Sequence, residues 1–208
     1  MWNLIGAGAW LLLLIYLVFV VMNVRSRHLK MVVMNQPRLR VVVIDVLESL
    51  VFVAALYGMA WVTWLRPIDY TSSDMVRVNY EYHPLILQSD GEKAYYATVA
   101  SGNGKQPVRY FTYWTANTRN KTNSRQADIS SGSQPLSVRA SAYPWKNKRL
   151  TKLDATTEKA FVATMTAHYR QTFLNGLGMH VGHLAERFDL IRIPNDTMIK
   201  VLPLNAED

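Results

Sequence analysis

LIGAGAWLLLLIYLVFVVMNV, Leu4 to Val24, decides the architecture: 21 consecutive residues carry no charge. As an α-helix rising 1.5 Å per residue, the run reaches about 30 Å, the thickness of a bilayer's hydrocarbon core. Met1, Trp2 and Asn3 supply no basic n-region before it, and Met22-Asn23-Val24-Arg25-Ser26-Arg27 after it has no small-x-small cleavage pattern. The run therefore reads as an uncleaved span, not a signal peptide.

Working outward, a second apolar run covers Val41 to Leu65, 25 residues with two charges, Asp45 and Glu48. Trp61 and Trp64 close it like aromatic anchors at a headgroup interface, and Arg66-Pro67 stops it. The segment between the runs, residues 25–40, holds Arg25, Arg27, Lys30, Arg38 and Arg40. The positive-inside rule places that segment in the cytoplasm and both chain termini outside. Pro37 suits the first turn of the second helix. Asp45 and Glu48 are expected to meet Arg25, Arg27, Arg38 or Arg40 near the interface. Gly6, Ala7, Gly8 and Ala9 in the first run and Ala54, Ala55, Gly58 and Ala60 in the second are expected to let the helices approach closely as a hairpin.

Charge divides the chain in two. Residues 1–65 hold 5 basic and 2 acidic side chains; the other 143 residues hold the remaining 18 and 13 of the chain's 23 Lys+Arg and 15 Asp+Glu. That excludes both a wholly water-soluble protein and a many-span channel, and with no Cys a disulfide scaffold is excluded as well. Residues 1–66 thus read as a membrane α-helical hairpin, with spans near 4–24 and 41–65. Residues 67–208 read as an α+β extracytoplasmic domain. The localisation implied is a two-pass protein of the cell membrane.

Within the second region, Val76 to Tyr82 alternates as a half-buried strand, with Val78, Tyr80 and Tyr82 on one face. Ala94–Ser101 and Val108–Thr115 flank Gly102-Asn103-Gly104-Lys105, a hairpin turn signal. Residues 116–134 are rich in Ser, Thr and Asn and read as a long mobile loop, and Leu136–Tyr143 as another strand. Phe161, Met165, Tyr169 and Phe173 recur every four residues and predict one main helix over Asp154–Asn175, with Asp154 as cap and Glu158 in its first turns. A last hairpin is expected to pair Phe188–Ile193 with Met198–Leu202. The sum is an antiparallel sheet packed by one helix, large enough to form its own core.

Few residues suggest chemistry. His180, His183 and Glu186, with His168, are potential ligands, but spacing of three on a glycine-rich segment fits zinc poorly. No nucleophile elbow, Walker loop, dinucleotide fingerprint or His-Glu-x-x-His occurs, so no enzyme activity and no cofactor are expected. Tyr110 and Trp114, opposite Tyr95 and Tyr96, suggest a sheet face able to stack on sugars or peptides. The clearest contact candidate is Trp145, Lys146, Lys148, Arg149 and Lys152: an indole beside four cations within eight residues, suited to an anionic surface.

Asn3-Leu-Ile-Gly6 with Ala9-Trp10, Ile15-Tyr-Leu-Val-Phe19, Arg27-His-Leu-Lys-Met-Val-Val33 and Leu190-Ile-Arg-Ile-Pro194 give the chain a further character. In these it resembles the uncharacterised small two-span membrane proteins of lactobacilli and related Gram-positive bacteria. That resemblance implies a location and no activity. The expected role is a non-enzymatic surface domain that binds a protein or an anionic envelope polymer. The alternatives are an accessory subunit of a larger membrane complex, or an extracellular hydrolase. The expected partners are the lipid bilayer and either a wall polymer or another membrane protein, with no nucleic acid.

Overall fold

The computed structural model describes residues 1–34, 38–101, 108–116, 118–131, 134–156 and 160–203. Gly102–Lys105, Pro37 and Glu158, which carried expectations above, lie outside the described residues. The chain divides into two compact units: residues 1–69 with 169–183, and residues 70–168 with 184–208.

The first unit begins with helix α1 (Asn3–Met34) and helix α2 (Arg38–Ala60), continued by a π-helical turn (Trp61–Leu65). α1 is long and apolar enough to cross a membrane. Its 32 residues amount to about 48 Å, so it runs well past the uncharged stretch. This corrects the expected connecting loop: Arg25, Arg27 and Lys30 are helical, and only residues 35–37 separate the helices. The helices meet through aromatics, Trp10 with Trp64 (5.5 Å between ring centres) and Tyr16 with Phe52 (6.2 Å). Gly8 and Gly58, two of the small residues expected in the contact, do not take part in it. A Cβ added at Gly8 or Gly58 would touch nothing within 4 Å among the described residues. Asp45 and Glu48 do find an arginine: Arg27 pairs with both, Asn23 donates to Glu48, and His28 Nε2 lies 3.1 Å from Asp45.

The segment 169–183, which includes the short helix α5 (Phe173–Leu177), completes this unit. Glycine is required at Gly6, where a Cβ would fall 2.4 Å from the Leu177 carbonyl oxygen, and at Gly176, where it would fall 2.8 Å from that of Trp2. His180 stacks on Tyr169 (4.8 Å) and donates from Nε2 to the Thr63 carbonyl in the π-turn (2.9 Å).

Among its described residues the second unit contains ten strands and two α-helices: β1 (Val76–Pro84), β2 (Gln88–Ser89), β3 (Ala94–Tyr95), β4 (Ala97–Ser101), β5 (Arg109–Thr115), β6 (Thr118–Asn123), β7 (Ala127–Ser131), α3 (Val138–Ser141), α4 (Asn147–Ala155), β8 (Phe161–Tyr169), β9 (Leu184–Ile193) and β10 (Ile199–Pro203). They form two four-stranded sheets, ordered β1-β8-β9-β7 and β10-β4-β5-β6, plus the small pair β2-β3. Both large sheets are mixed, because β7 runs parallel to β9 and β10 parallel to β4. One core lies between the sheets: Val162, Ile191 and Ile193 of the first meet Val99, Phe111 and Tyr113 of the second. A second core lies on the other face of the first sheet. There Phe161, Met165, Phe188 and Leu190 meet Ala140, Trp145 and Leu150 of the α3–α4 segment. The order is sheet, sheet, helices.

The expected main helix is therefore a strand. Spacing of four fits both periods: Phe161, Met165 and Tyr169 share a face at period two as well as near period 3.6. β8 is buried on both faces, so its sequence lacks the polar alternation that marks a half-exposed strand. Asp154 is not its cap but lies near the end of α4. The expected strand Leu136–Tyr143 is instead α3. The Ser137 hydroxyl caps it, accepting from the Ala140 N–H at 3.2 Å, and Ala140 is fully buried. The expected loop 116–134 is mostly β6 and β7. β6 is an edge strand, where Lys, Arg and Asn guard an open ladder, so its polarity was misleading. The final hairpin does not form either. Both edges of β9 are occupied by β8 and β7, which leaves β10 the free edge of β4.

Candidate functional site

Helix α4 presents the basic window. Leu150 is buried, and Leu153, three residues on, packs on the same core, so this face fixes the helix on the first sheet. Lys148, Arg149 and Lys152 are left on the solvent side, with exposed Lys146 at the N-cap. Lys148 with Lys152, and Arg149 with Lys152, are helical neighbours. Together with Leu153 and Thr156 these three line a recess of about 520 Å³.

The acid that would neutralise this face is turned away. Asp154 is the one acid in α4, and both its oxygens accept from Arg192 of β9, at 2.6 Å and 3.3 Å. Arg192 is only 6% exposed and also donates to the Ser130 hydroxyl (2.9 Å). Three of the cations lie at or near the start of α4, where positive charge opposes the helix dipole. An anion placed there would gain from both the cations and the dipole.

Two cations rest on tyrosines of β1. The Lys146 ammonium is 5.1 Å from the centre of the Tyr80 ring, and the Arg149 guanidinium 4.8 Å from that of Tyr82. Tyr80 donates its hydroxyl to the Pro144 carbonyl. The Tyr82 hydroxyl is buried and has no hydrogen-bond partner among the described residues. Burial raises both phenols above their ordinary pKa. Alternation in the sequence placed Tyr80 and Tyr82 on one face; only the packing of α4 over that face brings them to the cations.

Trp145 is the exception among the five expected contact residues. It is 8% exposed and its indole N–H donates to the Ala140 carbonyl (2.7 Å), so it anchors the core and offers no ring to a headgroup. The suggested histidine site does not assemble: His180 is engaged with Thr63 and Tyr169, and no group of three or more potential metal ligands occurs among the described residues. The aromatic sheet face does form, with a cation on each ring. Arg119 lies 6.0 Å from the Trp114 ring centre, Lys121 5.6 Å from Tyr110 and Lys200 5.4 Å from Tyr95, whereas Tyr96 packs toward the core.

The molecule thus joins a long apolar N-terminal helix to a mixed-sheet domain with a basic helical face. A family model whose description reads only ":-like" matches residues 1–200, and the chain belongs to that family. The breadth of the match is consistent with the resemblance to the lactobacillar proteins. No curated protein and no solved structure matches the chain.

Proposed function

We propose that this is a two-pass membrane protein holding its mixed-sheet domain outside the cell, and that the domain binds an anionic, phosphate-bearing envelope polymer through α4. Binding, not catalysis, is the role. The observation that carries the reading is the charge of Lys146, Lys148, Arg149 and Lys152, none of which forms an ion pair among the described residues, and whose one helical acid is held by Arg192. Support for the second span comes from α2, where Leu47, Leu50 and Val51 are each more than half exposed, as lipid-facing side chains are. Arg27 compensates the two acids that would otherwise oppose insertion.

The test places the full chain in neutral nanodiscs and titrates it with soluble polyphosphate. Binding should be strong at low salt and fall steeply as screening shortens from about 10 Å at 0.1 M to about 3 Å at 1 M. Replacing the four cations with Gln should remove most of it. Salt-independent binding, or equal binding by the Gln variant, would sink the proposal. Topology is read separately. The chain has no Cys, so Thr118→Cys should be labelled in intact cells and Val33→Cys only after permeabilisation.

A second reading, an accessory subunit of a larger membrane complex, is favoured by one feature. Leu17, Val20, Val21, Phe52 and Val53 line an apolar recess of about 500 Å³ along the paired helices. A partner's helix would fill it. Co-purification from mild detergent that is lost on Val21→Trp would support this reading.

A further inference from the structure

The inner face of β9 carries an acid the basic site does not use. Asp189 sits on the face of β9 turned toward the second sheet and is 5% exposed. Its Oδ1 accepts from the Thr164 hydroxyl (2.7 Å) and its Oδ2 from the Tyr113 hydroxyl (3.1 Å). Both donors are neutral. Its one ion-pair partner among the described residues is Arg187, 3.7 Å away, with a side chain 60% exposed. A carboxylate has about four acceptor directions, so Asp189 retains capacity for further donors. Burying a charge this poorly compensated is costly, and an apolar residue at this position would pack at no such cost.

The acid opens onto space. A cavity of about 330 Å³ is lined by Tyr113, Asn120, Thr122, Gln126, Leu184 and Arg187, with Asp189 beside them. That is the low end of the range for small-molecule sites. Lys121 also borders it, but its ammonium lies over the Tyr110 ring on the other face of β5. The charge pattern is polar along one axis, with a buried anion and an exposed cation. Tyr113 is held protonated by burial first and by the Asp189 charge second, so it remains a donor to Asp189.

We propose that this cavity binds a small zwitterion of the α-amino-acid class, its ammonium on Asp189 and its carboxylate on Arg187. The ammonium gives the buried carboxylate a cation at hydrogen-bond distance, closer than Arg187 at 3.7 Å, and the guanidinium offers a carboxylate two parallel hydrogen bonds. Amide and hydroxyl groups of Asn120, Gln126 and Thr122 line the wall beside it.

The experiment uses the full chain in neutral nanodiscs and equilibrium dialysis with radiolabelled L-alanine, competed by unlabelled ethylammonium, acetate and glucose. Alanine is expected to bind saturably, with Kd of about 1 mM or tighter. Ethylammonium should compete; acetate and glucose should not. Asp189→Asn should weaken alanine at least about tenfold, one pair's worth of free energy. Arg187→Gln should weaken alanine while leaving competition by ethylammonium against the residual binding intact. Should Asp189→Asn not fold, Thr122→Phe fills the cavity from its half-exposed wall and should abolish binding with the melting temperature retained. Any of three results would overturn the proposal: no saturable alanine binding, competition by glucose but not by ethylammonium, or binding unaltered by both Asp189→Asn and Thr122→Phe.

Discussion

The carboxamide of Asn3 is paired twice with the backbone of Val181: Nδ2 donates to the Val181 carbonyl at 3.1 Å, and the Val181 N–H donates to Oδ1 at 3.0 Å. The segment between β8 and β9 is thereby tied to the start of α1 across 178 positions of sequence. Gly6 against Leu177, Gly176 against Trp2 and His180 against Thr63 hold the same segment. Such close backbone approach is possible only because two of the contact residues have no side chain.

Asn3→Ala should therefore leave the Val181 N–H and carbonyl unpaired, at about 1–3 kcal/mol locally. Amide exchange across residues 172–181 should accelerate, while exchange in β8 and β9 stays as it was. Gly6→Val should have the larger effect, since its side chain would enter backbone oxygen. Unchanged exchange in both variants would show that the clamp carries no stability.

Phe188, fully buried in β9, contacts Tyr143 (4.5 Å between ring centres) and Trp145 (6.3 Å). Phe188→Ala should cost roughly 3–5 kcal/mol, a large share of a domain's stability. Thermal unfolding of the full chain in detergent reads it. Adjacent positions of β8 give a sharper test. Val162 faces the inter-sheet core and Ala163 the helical core, so an Asp at either should prevent folding, and tolerance at one would contradict the two-sided burial.

These strands show what was readable in the chain. β1 declared itself because one face is wet and one dry, and β4 and β5 because Gly102-Asn103-Gly104-Lys105 between them is a turn signal. α1 declared itself by lack of charge alone. β8 misled because its period-two apolar face also satisfies a spacing of four, and nothing local separates the two. α3 was hidden because Ser137, its cap, also reads as the polar face of a strand. At the basic site the cations were legible as a cluster. The withdrawal of Asp154 by Arg192, 38 residues away, and the burial of Trp145 were not, since both depend on which face of the first sheet α4 covers. The Asp189 cavity left no sequence signal, because its lining comes from β5, β6, the turn after β6, and β9.

Alkaline titration should separate Tyr113 from the exposed tyrosines. Its folded-state pKa is raised above the ordinary value of about 10, mainly by burial and then by Asp189. The unfolded chain loses the phenolic proton first, so this group's stability contribution is complete below about pH 10 and is lost as pH rises beyond it. Absorbance at the phenolate band should show Tyr113 ionising only with unfolding. Tyr113→Phe should flatten the fall in stability above pH 10. A Tyr113 that titrates normally in the folded protein would contradict its bond to Asp189.

Removing the Arg192 side chain strands Asp154, 19% exposed at its side chain, and leaves Ser130 without its donor. Arg192→Ala should cost about 3–5 kcal/mol, as for other broken buried pairs. It should also return a negative charge to α4 and weaken polyphosphate binding. Adding Asp154→Asn should recover the binding more fully than the stability. If Arg192→Ala lowers stability without altering the binding, Asp154 does not govern the charge of that face.

Arg27 faces two acids at once, Asp45 and Glu48, with its own side chain 19% exposed and theirs each 12%. Arg27→Leu leaves both carboxylates without that cation in a largely apolar setting, which should destabilise the paired helices by several kcal/mol. The other four basic residues of the segment, Arg25, Lys30, Arg38 and Arg40, remain, so orientation should be preserved. The prediction is thus a split result: cysteine labelling at positions 33 and 118 unchanged, but a marked loss of resistance to unfolding in SDS. Combining Arg27→Leu with Asp45→Asn and Glu48→Gln removes the stranded charge and should restore most of that resistance. Failure of the triple variant to recover would mean that Arg27 acts through packing of its stem, not through its charge.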